Sequence, residues 1–308
     1  MERTSLSRVG VTNVEKVTRI GPRGAEQLYH ASLDCFVDLG PEQKGAHMSR
    51  FDEVINDVIG EVMLGPGAFK AEQMAQQIAV EVRERQNALR AEVKITARYP
   101  EHKPAPVSGI ATQEIYTLLG TAVATARGTR RIVGVAAQGM TADPRAQRLV
   151  AGRSRDRLAA DGFSDDQIAA ILEAVPIATH DQRGFGTLQL GLPEACEIDV
   201  DATELLAIVE DSMSSEIYEL MKRSDEGVVV EKATRRPRSA EDCVREAIRG
   251  ALEHFGSLGD DAFVSARQEN LETIHQHDVV AERFGLLGEL RREGVARFTT
   301  MREWLSAT

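Results

Sequence analysis

One order of segments recurs in both halves of this chain and narrows its folds more than any single motif: alternating apolar stretches, two consecutive helical stretches, then alternation again. In the first half, Leu33, Cys35, Val37 and Leu39 alternate with Asp34, Phe36 and Asp38, the period of a half-buried strand. Gly40-Pro41 ends that strand, Ser49 is placed to cap a helix, and Val54, Ile55, Val58, Ile59 and Val62 recur at helical spacing. Met74, Ile78, Val82 and Arg85 predict a second helix over 70–88, and Ala91 to Ala97 alternates again. The second half repeats the order. A strand over Ile132 to Ala137 leads to a helix opened by the capping-box spacing Ser164-x-x-Gln167, then to a strand over Phe185 to Leu192. Next come a helix from Thr203 to Lys222 opened by Asp201, a long amphipathic helix striped by Val244, Ala247, Ile248, Ala251, Leu252 and Phe255, and a strand over Ala262 to Arg267. Strands and helix pairs that segregate in this way predict an α+β class, with antiparallel sheet on one side and helices on the other.

The remaining segments complete the expectation. Residues 1–27 are polar and broken by Gly21-Pro-Arg-Gly24, and read as an arm. Pro100, Pro104 and Pro106 predict a surface loop, and residues 112–126 read as helical. A boundary at the basic turn Arg127-Gly-Thr-Arg-Arg131 divides the chain into modules 1–127 and 128–308. No apolar run is long enough to cross a membrane and the N-terminus lacks a secretory pattern, so a cytoplasmic protein is expected. The net charge of −11 argues against a nucleic-acid partner. Cys35, Cys196 and Cys243 are too few and too scattered for a disulfide framework or a cysteine-only zinc site. Gly184-Phe-Gly186 lacks a third glycine and precedes a strand, so no dinucleotide-binding loop is present.

Three polar knots carry the candidate chemistry. The first is Ser212 to Glu231, read as a helix end running into the β-branched trio Val228-Val-Val230, which would carry Glu231 out of a buried run. A buried carboxylate needs a donor-rich partner, and a guanine edge offers one. The second is Thr179-His180-Asp181-Gln182-Arg183, and the third is Ile274-His275-Gln276-His277-Asp278, where positions i and i+2 of an extended stretch share a face. His180, His275 and His277, with Glu216, are the raw material of a hydrolytic metal site. A lone histidine at a strand entry is more often structural, and Glu219 reads as a solvated helix carboxylate. Lys44, His47, Arg50, Arg183, Lys222 and Arg223 can neutralise a phosphate chain, although charged loop residues are usually only solvated.

These residues fall in segments that resemble the type IB GTP cyclohydrolase family, most closely its archaeal-type branch. The matching stretches include Ser7-Arg-Val-Gly-Val-Thr-Asn13, Gln43-Lys-Gly-x-His-Met-Ser-Arg50, Gly139-Met-Thr-Ala142 and Ile177-Ala-Thr-His-x-Gln-Arg-Gly184. Asp211-Ser-Met-Ser-x-Glu216, Glu241-Asp-Cys-x-Arg-Glu246 and Ile274-His-x-His-Asp278 continue the series in order. The resemblance implies a bimodular tunnelling fold assembled as a homo-oligomer, acting on GTP or a related purine nucleotide. It implies hydrolysis at C8 by a metal-activated water, followed in most members by loss of formate and reclosure to a pterin. One divalent ion, Zn2+, Fe2+ or Mn2+, is expected on His180, Glu216 and one or both of His275 and His277, with Glu231 as purine anchor.

One departure bears on the product. Where the family reads Thr-Ala-Cys-Pro-Cys-Ala-Gln, this chain reads Thr141-Ala142-Asp143-Pro144-Arg145-Ala146-Gln147. The first of those cysteines resembles a catalytic metal ligand. Asp143 would replace a soft thiolate with a hard, shorter oxygen ligand, which is also a poorer proton donor at neutral pH. Asp143, His180 and His275 are therefore the expected catalytic set, with Arg145 on a phosphate. The family's usual product, a ring-opened pyrimidine, and a nucleotide-binding protein without turnover are the three outcomes to separate.

Overall fold

Long strands bracket two sets of helices in a computed structural model that describes residues 4–20, 27–64, 70–193, 198, 200–292 and 297–307. The first half runs β1 (Leu6–Ile20), β2 (Gln27–Leu39), α1 (Met48–Leu64), α2 (Ala71–Arg85), β3 (Arg90–Pro104) and β4 (Ala111–Thr125). The second runs β5 (Gly128–Ala142), α3 (Pro144–Ala160), α4 (Asp165–Ala174), β6 (Asp181–Leu192), α5 (Ala202–Ser212), β7 (Ser215–Glu216), α6 (Arg223–Arg235), α7 (Ala240–Phe255), β8 (Phe263–Leu271) and β9 (Val279–Leu286). Two short helices follow, α8 (Leu287–Leu290) and α9 (Met301–Ser306). All pairings are antiparallel, in the order β1-β2-β3-β4-β5-β6-β8-β9, with β7 paired to β5. The expected α+β class is what the chain adopts.

Alternation along the strands decides which face is covered. Ala31, Leu33, Cys35 and Val37 of β2 and Val93, Ile95 and Ala97 of β3 point under α1 and α2, which bring Phe51, Val54, Ile55, Met74 and Ile78 to the same core. In the second half, α5 packs on β5 and β6, and α7 packs on β8 and β9. The opposite face is more polar, but one end of it is closed by α9. There Trp304 and Leu305 meet Val123, Ile132 and Phe263, and the Trp304 indole N–H donates to the Asp261 carbonyl at 2.9 Å. No described helix is long and apolar enough to cross a membrane.

Several expectations are corrected. The arm over residues 1–27 contains β1, with Val9, Val11 and Val14 packed against the core. Residues 112–125 belong to β4, not to a helix, because Tyr116, Leu118, Ala122 and Ala124 lie on one face at a period of two. The proline stretch continues β3 to Pro104, pairing with β4 alone beyond Ala97; its prolines therefore miss no bond to β2. The helix expected to reach Lys222 stops at Ser212. The trio Val228 to Val230 lies in helix α6 rather than in a strand, with Val229 buried and Val228 and Val230 exposed. The 127/128 boundary falls at the β4–β5 turn.

Candidate active site

Three chain segments meet where β5 ends, β6 begins and β8 ends. Asp143 follows β5 and caps α3: the Ala146 N–H donates to its Oδ1 at 2.6 Å, and Pro144 occupies the first turn, where a missing N–H costs nothing. The Asp143 N–H donates to the His180 carbonyl at 3.1 Å, and the Thr179 hydroxyl donates to the Asp143 carbonyl at 2.7 Å. These two bonds lock the entry of β6 against the exit of β5. Gln147 fastens the same corner from below, donating to the carbonyls of Ile177 at 3.1 Å and Thr234 at 2.7 Å. The Thr273 hydroxyl donates to the Asp181 carbonyl at 3.1 Å and ties the β8–β9 loop to the group.

A cavity of about 180 Å³ opens there, lined among others by Asp143, Arg145, His180, Gln182, Glu272 and the His275–His277 loop. Strand register explains the membership. Thr141 of β5 stands opposite Gln182 of β6, and Arg183 stands opposite Leu271, so Glu272 is the next position beyond β8 on the row of Gln182. One step along, Gly184 faces Asn270; a Cβ on Gly184 would stand 2.3 Å from the Gln268 amide nitrogen, so only glycine leaves room for the buried Gln268 and Asn270 amides. His180 Nδ1 faces Gln182 Oε1 at 3.1 Å and Glu272 Oε2 at 3.8 Å. The Glu272 side chain is 8 % exposed, and among the described residues its Oε2 has no hydrogen-bond partner. Thr141 Oγ1, on the same row, is also buried without one.

The five residues Asp143, Arg145, His180, His275 and His277 are thus brought to one cavity. The rings of His275 and His277 stack on each other, 5.1 Å apart and 8° from parallel, instead of converging on a point. Among the described residues, no three His, Cys, Asp or Glu side chains stand close enough together to hold an ion. The donor set nevertheless suits one: nitrogen and oxygen donors on one cavity wall, including a buried carboxylate oxygen left without a partner. The cavity shares Arg145, Ser239 and Glu241 with a neighbour of about 230 Å³, to which Arg148 and Arg245 also contribute.

The other expected residues lie elsewhere. Glu216 sits on β7 on the far side of β5, where Lys232 donates to its Oε2 at 2.5 Å. Burial pushes its carboxyl up, but the Lys232 ammonium and its own backbone N–H outweigh burial and hold it below the usual carboxylate range. Glu231, expected in a buried run, is on the exposed side of α6 and accepts from Arg235 at 2.7 Å, its natural i,i+4 partner. Lys44, His47 and Arg50 lie at the opposite end of the strands. There Gln86 brackets the His47 backbone with bonds of 3.1 and 2.8 Å, and Arg50 donates to the Arg85 carbonyl at 2.8 Å. Arg183 alternates to the other face of β6 from Gln182. Lys222 and Arg223 are exposed at the start of α6, away from the cavity. Cys196 lies outside the described residues.

Glu272, Gln182 and the arginines at 148 and 245 were not singled out for a role by the sequence. Gln182 carried one signal, since residue i+2 from His180 shares its face in an extended chain. Glu272 needed the pairing of β6 with β8.

A sequence profile described as type I GTP cyclohydrolase folE2 matches residues 2–281. A protein named GTP cyclohydrolase MptA from Methanococcus aeolicus is 40% identical over 298 residues, covering 94% of this chain and 96% of its own. The protein of the same name from Methanosarcina mazei is 38% identical over 299 residues, covering 94% and 93%. Among solved structures, the uricase of Arthrobacter globiformis aligns with a TM-score of 0.54 at 10% identity over 98% of both chains. A uricase from Bacillus fastidious aligns at 0.53 and 11% identity, over 97% of this chain and all of that one. At such low identity the likeness to uricases is one of fold alone.

Proposed function

Because the chain belongs to the type I GTP cyclohydrolase family (folE2), we propose that it hydrolyses the imidazole ring of GTP at C8, in the cavity between β5, β6 and β8. The observation that carries this placement is the partnerless Glu272 Oε2, buried beside His180 at the cavity wall. An isolated buried carboxylate is costly unless a cation or a donor-rich ligand edge completes it. The cavity therefore asks for such a ligand at this atom.

Asp143, His180 and one of His275 and His277, which line one cavity, would hold a divalent ion, Zn2+, Fe2+ or Mn2+. When bound, such an ion supplies an activated water at neutral pH. The chain's own residues do the rest. Asp143, which lines the cavity, spends Oδ1 on the α3 cap, so Oδ2 is the oxygen left for a ligand. Glu272, whose Oε2 has no hydrogen-bond partner among the described residues, is the group placed to take a proton from the attacking water and return it to the opening ring. Arg145, with Arg148 and Arg245 in the adjoining cavity, gives the phosphate chain a cationic exit. Glu216 stays with Lys232, and Glu231 is given no role in the purine site.

Self-association supplies what one chain lacks. Among the described residues the outer edges of β1 and β9 have no strand partner, and such edges are templates on which a further chain can pair. Lys44, His47 and Arg50, at the far end of the strands, would reach this cavity only from another copy.

The carboxylate at 143 favours a reaction that stops early. Attack at C8 needs chiefly the activated water, whereas deformylation and reclosure need further timed proton transfers. The test is incubation with GTP in the presence of each metal and in chelator, with mass analysis of products and formate. A ring-opened pyrimidine is expected; a dihydroneopterin product would overturn the early stop, and no turnover under any metal would overturn the enzymatic reading.

A further inference from the structure

His180 can present either ring nitrogen to the cavity, and which one it presents decides what it can do there. A neutral imidazole carries its proton on one nitrogen and a lone pair on the other, and the partner of the protonated nitrogen fixes the choice. We infer that Gln182 is a positioning residue which holds the proton of His180 on Nδ1 and thereby turns the Nε2 lone pair to the cavity. The inference rests on the reading of His180 as a ligand or proton carrier given above.

The geometry supports this from two sides. Gln182 Oε1 lies 3.1 Å from Nδ1, within hydrogen-bond distance, and the Gln182 residue is 6 % exposed, so water cannot replace it. A glutamine amide can offer either its oxygen or its nitrogen, and the neighbouring carboxyl decides between them. Glu272 Oε2 lies on the same side of the ring, 3.8 Å from Nδ1, and a carboxylate can only accept. Two acceptors facing one nitrogen make that nitrogen the donor. The amide then turns its oxygen inward, and Nε2 is left with its lone pair.

The backbone makes the arrangement rigid. Gln182 is held opposite Thr141 in the β5–β6 ladder, and the His180 carbonyl is fixed by the Asp143 N–H, so neither partner can slide along the strand. On the same row the buried Thr141 hydroxyl has no partner of its own. Gln182 thus stands in the second layer of the site, where a hydrogen bond to the far nitrogen raises ligand basicity and locks ring orientation; loss of such partners costs 10–100-fold in metal affinity.

The decisive measurement uses the metal-free wild-type protein with 15N-labelled histidine. His180 is expected to show a protonated Nδ1 and a lone-pair Nε2; the reverse pattern would overturn the inference without reference to GTP or to any metal. Substitution supplies the second arm, with zinc affinity measured by competition against a chelator. Gln182→Met keeps the volume and loses the acceptor, and is expected to mix the tautomers and weaken zinc binding about 10–100-fold. Gln182→Glu restores an acceptor and should recover the Nδ1–H pattern and bring affinity back to within a few-fold of wild type. An unchanged tautomer and affinity in Gln182→Met would refute the positioning role. If Gln182→Met does not fold, the wild-type spectrum and Gln182→Glu decide. Zinc affinity unchanged in His180→Ala would instead refute the ligand reading of His180 and leave the tautomer assignment standing.

Discussion

Asp143 does two things, and two substitutions separate them. Its Oδ1 accepts from the Ala146 N–H at 2.6 Å at the start of α3, while the residue also lines the cavity. Replacing an N-cap aspartate with alanine costs about 1 kcal/mol, whereas asparagine caps nearly as well. Where that loss appears follows from the packing of α3, which buries none of its own residues. The core does not support this helix, so losing the cap should fray it locally instead of unfolding the chain. About 1 kcal/mol corresponds to roughly fivefold faster amide exchange. Asp143→Ala should therefore show this acceleration over residues 146–150 in hydrogen exchange read by mass spectrometry, with the sheet unchanged. Asp143→Asn should stay within about twofold of wild type over the same segment. Ring opening of GTP should be lost in both. Unchanged exchange in Asp143→Ala would refute the cap as the support of α3. Full turnover in Asp143→Asn would show that the carboxylate takes no part in the chemistry.

Other expectations follow from particular contacts. Asp225 is fully buried and accepts from the Val107 and Ser108 N–H groups, the Ser108 hydroxyl and the Lys222 N–H, which clamps the β3–β4 hairpin to the start of α6. Burial pushes its carboxyl up, but these four donors prevail and hold it well below the carboxylate range. Its stabilising contribution is then complete above the unfolded value of about 3.9 and fades as pH falls below it; the urea midpoint of wild type should drop with acid more steeply than that of Asp225→Asn, and parallel curves would refute the clamp. A Cβ on Gly120 would stand 2.4 Å from the Ala71 backbone, so Gly120→Ala should cost about 1–3 kcal/mol in urea unfolding. An unchanged midpoint there would mean that α2 does not press on β4. Burial pushes the thiols of Cys35 and Cys243 up to about 12, so neither should react with a thiol reagent at pH 8 until the chain unfolds. Labelling of either in the folded protein, mapped by mass spectrometry, would contradict their burial.

Periodicity made legible those parts of the fold whose side chains have one buried face. The alternation of β2, the stripe of α7 and the capping box of Ser164, in which the Gln167 N–H and side chain reciprocate, all appear where the pattern places them. Patterns failed where packing overrode local preference. Residues 112–126 carry alanine, leucine and glutamate that suit a helix, yet pairing with β3 from Ala111 to Thr125 and with β5 from Thr117 on makes a strand the better use of their backbone. The valines at 228–230 suit a strand, yet Lys222 and Asp225 begin a helix that absorbs them. Glu231 then moved from an expected buried position to an exposed ion pair.

The site was legible in part, since Asp143, Arg145, His180, His275 and His277 were singled out and share the cavity whereas Glu272 was not, and the reason is geometric. Asp143, His180 and Glu272 are far apart in sequence and meet only because β5, β6 and β8 are neighbours whose registers end together. A motif shows that His180 is unusual, but it cannot show that residue 272 comes next on the row of Gln182; one residue of slip would turn Glu272 to the other face. The same register separates Lys44, His47 and Arg50 from the cavity, because the β2–α1 loop lies at the end of the sheet where β5 begins, not where it ends. Lys44, His47 and Arg50 therefore stand at one end of the strands and Asp143, His180 and Glu272 at the other, a separation that the register of a single chain fixes.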